Sequence, residues 1–153
     1  MQTILGGNGT IGSVLAKELT AYTDKIRIVG RNPKKVNETD EVFIADVTDK
    51  NQLYAAINGS EVVYLLIGFE YTKKAWQEKW PALMRNTIEA CKENNSRLVF
   101  FDNMYLYNKN FLGNMTEETP INPPSEKGKV RAAIAKMLMD EAKSGSIHAL
   151  IAR

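Results

Sequence analysis

A chain of 153 residues fits a single domain, long enough to bury roughly two-thirds of the surface its unfolded form would expose. Hydrophobic residues make up 44% and charged residues 25%, and the formal net charge of +2 is too small to argue for nucleic acid or a membrane surface. One cysteine, Cys91, and one histidine, His148, exclude an internal disulfide, a thiolate metal cluster, a His-based triad and most zinc sites, so no metal is expected and both side chains read as core residues.

The first residues carry no basic region and no long apolar core, and no apolar run approaches the roughly 20 residues of a membrane span. A cytoplasmic address is the resulting expectation. Along the chain, short apolar runs alternate with helix-like segments, the pattern of a parallel sheet covered on both faces. A strand at 2–5 leads into Gly6-Gly7-Asn8-Gly9-Thr10-Ile11-Gly12 and a helix at 11–22, where Ile11, Val14, Leu15 and Leu19 share one face. A strand at 26–30 follows, then Arg31 to Glu41, which contains Pro33 and is too short for a full helix. Next come a strand at 42–45, a helix at 49–58 stopped by Asn58-Gly59, and a strand at 62–67. A long helix at 72–94 ends at Asn94-Asn95 and precedes a strand at 97–101. Residues 102–124, with Gly113, Pro120, Pro123 and Pro124, form the longest stretch without a period, and a long loop beyond a strand's C-terminus is expected to border a ligand crevice. A helix at 125–144 and a strand at 147–152 complete residues 1–153 as one domain. The chain stops at Arg153 directly after an apolar strand with no closing helix, which reads as a fragment.

The glycines carry the clearest chemistry. Gly7, Gly9 and Gly12 satisfy G-x-G-x-x-G, and Gly6, Gly9 and Gly12 lie three apart, between a short strand and an amphipathic helix. In that context the main chain can approach a pyrophosphate, whose charge the free N–H groups and dipole of the helix's first turn attract. The reading is a dinucleotide site. Arg31 ends the second strand where an acidic residue would bind a ribose 2′-hydroxyl; an arginine suits a 2′-phosphate, and Lys34 and Lys35 add positive potential, so NADP is expected over NAD. Asp46 is placed either at the adenine amino group, with Val47 against the ring, or in a turn before a helix capped by Thr48 or Asp49.

These residues resemble the extended short-chain dehydrogenase/reductase superfamily, specifically its NAD-dependent epimerase/dehydratase group, over the whole chain. Gly6-x-x-Gly9-x-x-Gly12 matches the family's glycine motif, Asp46-Val47 its adenine-contacting pair, and Asn86 its helix asparagine. Residues 99–107 resemble its strand-five segment. The resemblance implies a doubly wound α/β sheet of Rossmann type, in the order 3-2-1-4-5-6, with helices on both faces. It also implies cofactor contacts from Gly6, Gly9, Thr10, Ile11, Gly12, Arg31, Asp46 and Val47, with Ile67 and Gly68 bordering a ribose. A substrate domain would come mainly from later sequence, absent from this chain.

The departures bear on the chemistry. Family members place a tyrosine and a lysine at i and i+4 of one helix, where the ammonium lowers the phenol pKa for acid/base work. Here Lys127 replaces the tyrosine and Arg131 the lysine, while Asp102 or Asn103 stands where a serine is usual. Lys127 could serve as the acid/base, with its pKa lowered by Arg131 and burial; Tyr105 could supply a phenol, with Asp102 or Asn103 orienting substrate; Lys127 and Arg131 could bind an anion, or form a solvated basic face. Lys127, Asn103 and Tyr105 are the catalytic candidates, and Tyr107 is read as structural. The implied activity is an NADP(H)-dependent oxidoreductase, epimerase or dehydratase acting on a small, sugar-derived metabolite. The alternative is a non-catalytic NADP sensor resembling NmrA-like regulators. Trp76, Trp80 and Met84 recur at four-residue spacing in the helix at 72–94, as either a homodimer face or a core stripe.

Overall fold

The structure of the chain, a computed structural model, describes residues 1–153. Its strands are β1 (Gln2–Leu5), β2 (Ile26–Gly30), β3 (Glu41–Ile44), β4 (Val62–Leu65), β5 (Arg97–Phe101) and β6 (Ala149–Ala152). The helices are α1 (Thr10–Leu19), α2 (Lys50–Ile57), α3 (Lys73–Glu93) and α4 (Glu126–Lys143). All strand pairs are parallel, in the order β3-β2-β1-β4-β5-β6, the order expected. Side chains alternate across the pleat, so Leu5, Val29, Val63, Leu65, Leu98 and Phe100 enter a large core under α2, α3 and α4. Ile4, Ile26 and Ile28 turn the other way, into a small core with Ala16 and Leu19 of α1. Helices flank both faces unequally, three against one.

Helix starts follow side-chain caps. Asp49 accepts from the Gln52 N–H, Thr72 from Ala75 and Ser125 from Gly128, each satisfying a donor that the first helical turn leaves free. Between β2 and β3 there is no helix. Asp40, almost fully buried, instead accepts from the main-chain N–H groups of Val36 and Asn37, while the Asn37 amide donates to the Ala16 carbonyl on α1.

The helix stripe Trp76, Trp80 and Met84 is buried in the large core, so these three side chains do not offer a dimer face. Cys91 is also buried, and burial pushes its thiol up to about 12. Three expectations are corrected. His148 is exposed, since it lies just before β6, which begins only at Ala149, and its side chain does not enter the core. Arg131 is not on a solvated face; it is 6% exposed. On α1, Leu19 is buried, but Ile11 and Val14 are 48% and 58% exposed, bordering a shallow apolar groove with Phe101 that no other element covers. No helix is long and apolar enough to cross a membrane.

Candidate functional site

The C-terminal ends of β1 to β4 converge on a cavity of about 530 Å³. In an open parallel sheet this is where the strand order reverses and ligands bind, here between β1 and β4. The loop after β1 supplies its floor. Gly6 has φ +90, a left-handed conformation that favours glycine, and a Cβ there would stand 3.1 Å from the Leu66 carbonyl oxygen. At Gly12 a Cβ would fall 2.6 Å from the Gly6 oxygen and 2.7 Å from the Gly7 Cα, so α1 can pack on its own leading turn only with hydrogen at that position. The Gly9 N–H donates to Gly6, and Ser13 donates back to Gly9. The main-chain N–H groups of Thr10, Ile11 and Gly12 have no acceptor within the chain, and Gly9 provides no side-chain cap. A helix N-terminus with three open donors, lined by backbone rather than side chains, is a fitting seat for a diphosphate.

Asn8 ties this loop to the next one. Its amide donates to the Lys34 carbonyl at 2.8 Å and its side-chain oxygen accepts from the Lys34 N–H at 2.8 Å. Arg31, just past β2, lines the cavity and has no carboxylate within ion-pair distance. Asp46 and Val47 line it from the turn after β3. Asp46 accepts from both the hydroxyl and the main-chain N–H of Thr48, and these bonds hold its carboxyl below the usual carboxylate range, burial opposing and the Arg31 and Lys79 charges assisting. Asp46 thus has its turn role and also faces the cavity, while the helix cap is Asp49.

Of the residues expected to hold a cofactor, Gly6, Gly9, Arg31, Asp46, Val47, Ile67 and Gly68 form the cavity wall. Thr10, Ile11 and Gly12 are not among its lining residues; they follow Gly9, which is, with their N–H groups free, and Thr10 and Ile11 line the apolar groove. Missed were Gly30, Ala45 and Leu66, which a strand-end position could have indicated, Thr48, read only as a possible helix cap, and Phe69, Glu70 and Lys79, for which no local pattern exists.

The second group of candidates lies outside that wall. Its centre is Asp102, whose side chain is fully buried at the end of β5. Arg131 Nε lies 3.4 Å from one carboxylate oxygen, and Arg153 Nε donates to the other at 3.2 Å. The Arg131 guanidinium rests 4.1 Å from the Trp80 ring centroid, 5.0 Å from Trp76 and 5.3 Å from Phe100. Burial raises the Asp102 carboxyl above its ordinary value, against the Asn103 N–H and the two arginines, and burial likewise pulls Arg131 down against the Asp102 charge. Arg153 also donates to the Tyr107 hydroxyl at 3.3 Å, and Tyr107 is buried. Asn103 accepts from the Tyr105 N–H, capping the short turn Met104–Leu106. Tyr105 packs edge-on to Tyr71 and tilted to Trp76. Its phenol is raised first by the neighbouring Tyr71 hydroxyl, with the Lys127 charge opposing. Lys127 Nζ sits 3.0 Å above the Tyr71 ring centroid and donates to the Tyr71 carbonyl. Lys127 and Tyr105 therefore meet through Tyr71, whereas Arg131 turns inward.

The residues 102–124 form two short 3-10 turns and one antiparallel bridge, Tyr107 with Ile121. Part of the segment borders a separate cavity of about 240 Å³ with Ile151 and Arg153.

Comparison with known proteins agrees with this geometry. A family model described as NAD(P)H-binding matches residues 6–146. Among curated proteins, none matches the chain. A UDP-galactose 4-epimerase superposes with a TM-score of 0.83 at 22% identity, over 100% of this chain and 55% of that one. The uronate dehydrogenase from Agrobacterium tumefaciens gives 0.83 at 17% identity, over 97% and 57%. A short-chain dehydrogenase/reductase superfamily protein from Agrobacterium tumefaciens, solved with bound NAD, gives 0.83 at 21% identity, over 99% and 48%. The chain thus spans about half the length of these structures, and at such identities the likeness is one of fold.

Proposed function

We propose a function on one premise: the chain belongs to the NAD(P)H-binding family. Its ligand is NADP(H), with the diphosphate on the N–H groups of Thr10, Ile11 and Gly12, the adenine against Asp46 and Val47, and the 2′-phosphate at Arg31. Ile67 and Gly68 border a ribose. The observation that carries this reading is the side-chain-free cradle at Gly9, opening directly into the cavity that Arg31 lines. A guanidinium without a carboxylate partner supplies the paired donors and charge that a phosphate monoester takes up. Calorimetric titration should give saturable heat with NADP⁺ and NADPH, and a weaker response with NAD⁺. No heat and no melting shift with any of them would end this reading.

When bound, the cofactor supplies hydride transfer. The residues of this chain suit an oxidoreductase, epimerase or dehydratase acting on a small, sugar-derived metabolite, as the names of the superposing structures indicate for those proteins. The proton step falls to Lys127, which occupies the usual tyrosine position and alone of the pair keeps its charge outside an ion pair; Asn103 and Tyr105 lie nearby. Turnover of some member of a sugar and sugar-acid panel, lost in Lys127→Ala by at least a hundredfold, is the expected result.

A second reading, a non-catalytic NADP sensor of the NmrA-like kind, is favoured by the Asp102–Arg131 contact. By the resemblance that pair takes the places of the lysine that tunes the phenol and of a serine beside the substrate, yet both side chains are buried and the guanidinium rests on aromatic rings. Nucleotide binding with no turnover across the panel would support it.

A further inference from the structure

We propose that Lys79 is an additional ligand of the adenine base, closing over the ring whose edge Asp46 binds. This rests on the nucleotide reading above and extends it to a residue on a different wall. Lys79 lines the same cavity as Asp46, Val47 and Arg31, reaching it from α3 rather than from a strand end. Its place on the rim is fixed by its neighbours: Trp76 and Trp80 are 5% and 1% exposed, and their burial sets the rotation of the helix, which leaves the intervening Lys79 exposed. No carboxylate lies within ion-pair distance of its ammonium. Nζ instead stands 5.6 Å from the ring centroid of Phe69, another cavity residue, so the side chain already lies along the wall.

The chemistry of the base selects this role. Adenine presents an amino donor at one edge, ring-nitrogen acceptors beside it and an electron-rich face. A carboxylate such as Asp46 satisfies the donor, and an ammonium satisfies an acceptor or rests on the face. Arg31, Asp46 and Lys79 line one cavity, with the two cations on walls built from different elements. Arg31 leaves the end of β2, the strand position that faces a 2′-phosphate, whereas Lys79 comes from beside Phe69, beyond β4. The two cations therefore divide the nucleotide, one taking the phosphate and the other the base.

The test compares the protein with Lys79→Met, which keeps the aliphatic stem and removes the charge, by calorimetric titration with NADP⁺, NAD⁺ and 2′,5′-ADP. The expected result is a fivefold to tenfold loss for all three, with the NADP⁺ to NAD⁺ ratio unchanged, the melting temperature of the ligand-free protein unchanged, and affinity recovered in Lys79→Arg. Unaltered affinity for 2′,5′-ADP would overturn the proposal. So would a loss confined to NADP⁺ and 2′,5′-ADP, the two ligands with a 2′-phosphate, because Lys79 would then serve that group. If the unmodified protein binds none of the three, the nucleotide reading itself falls, before any variant is needed.

Discussion

Above β1 and β2 the main chain keeps its donors free, and above β5 a buried carboxylate is ion-paired with two arginines although Asp102 Oδ1 and Arg131 Nε and Nη1 have no hydrogen-bond partner. The first region has three N–H groups without acceptors and an arginine without a carboxylate. The second has a carboxylate held by two arginines and walled by Trp76, Trp80, Phe100 and Tyr107. Open main-chain donors at a helix end mark a place for an anion, whereas a buried ion pair is costly chiefly when one partner is removed and the other charge is left uncompensated. The two regions line different parts of the sheet's C-terminal edge, so the expectation is that each can be perturbed alone.

The largest effect is expected at the ion-paired end. Asp102→Ala leaves the Arg131 charge buried without compensation and should lower unfolding free energy by about 3–5 kcal/mol in urea titration, while NADP⁺ affinity at saturating fold stays within twofold. A matching loss of affinity would show that the two regions are not separable. Next comes Gly9→Asp. The φ of −69 at Gly9 suits an ordinary residue and a Cβ there would stand 3.3 Å from the Gly6 oxygen, a contact that a small shift relieves, while the new carboxylate would face the diphosphate. Binding should weaken by at least a hundredfold, about 2.7 kcal/mol, with little change in melting temperature. Retained binding would move the diphosphate elsewhere. Smaller still, Arg31→Asp should reverse the preference between NADP⁺ and NAD⁺, each affinity changing roughly tenfold, or about 1.4 kcal/mol; an unchanged ratio removes Arg31 from the 2′-phosphate. The smallest effect concerns pH. Asp46 has a folded pKa below its ordinary 3.8, so its contribution is present above that value and lost only as pH falls through the lower folded one. Asp46→Asn should therefore leave the shape of the NADP⁺ affinity profile between pH 8 and pH 5 unaltered.

The two regions also differ in how far the sequence disclosed them. Around Gly9 the information is local: the glycines, the strand before them and the helix after them lie within about one turn of each other along the chain, and Arg31 is placed by the strand that ends beside it. The strand order, by contrast, came from the resemblance to the dehydrogenase/reductase superfamily rather than from any local pattern, and the sheet has that order. Arg131 is the opposite case. Four residues from Lys127 on one helix, it reads as surface charge, and only Asp102, Trp76 and Trp80, all distant in sequence, bury it. Ile11 and Val14 misled in the reverse direction, since their spacing matches a buried face although nothing packs over it. The 31–40 loop depends on Asp40 and Asn37 reaching main-chain groups, bonds that no periodicity announces. Lys79 falls in the same class, for its cavity position follows from the rotation of α3 as a whole.

The reciprocal Asn8–Lys34 bonds carry one more implication. They clasp the leading turn of α1 to the segment that begins with Arg31, so the two cannot drift apart without breaking both bonds at once. A ligand that stiffens either segment should slow amide exchange in the other, even when it touches only one. In Asn8→Ala, that shared protection would split into two independent responses.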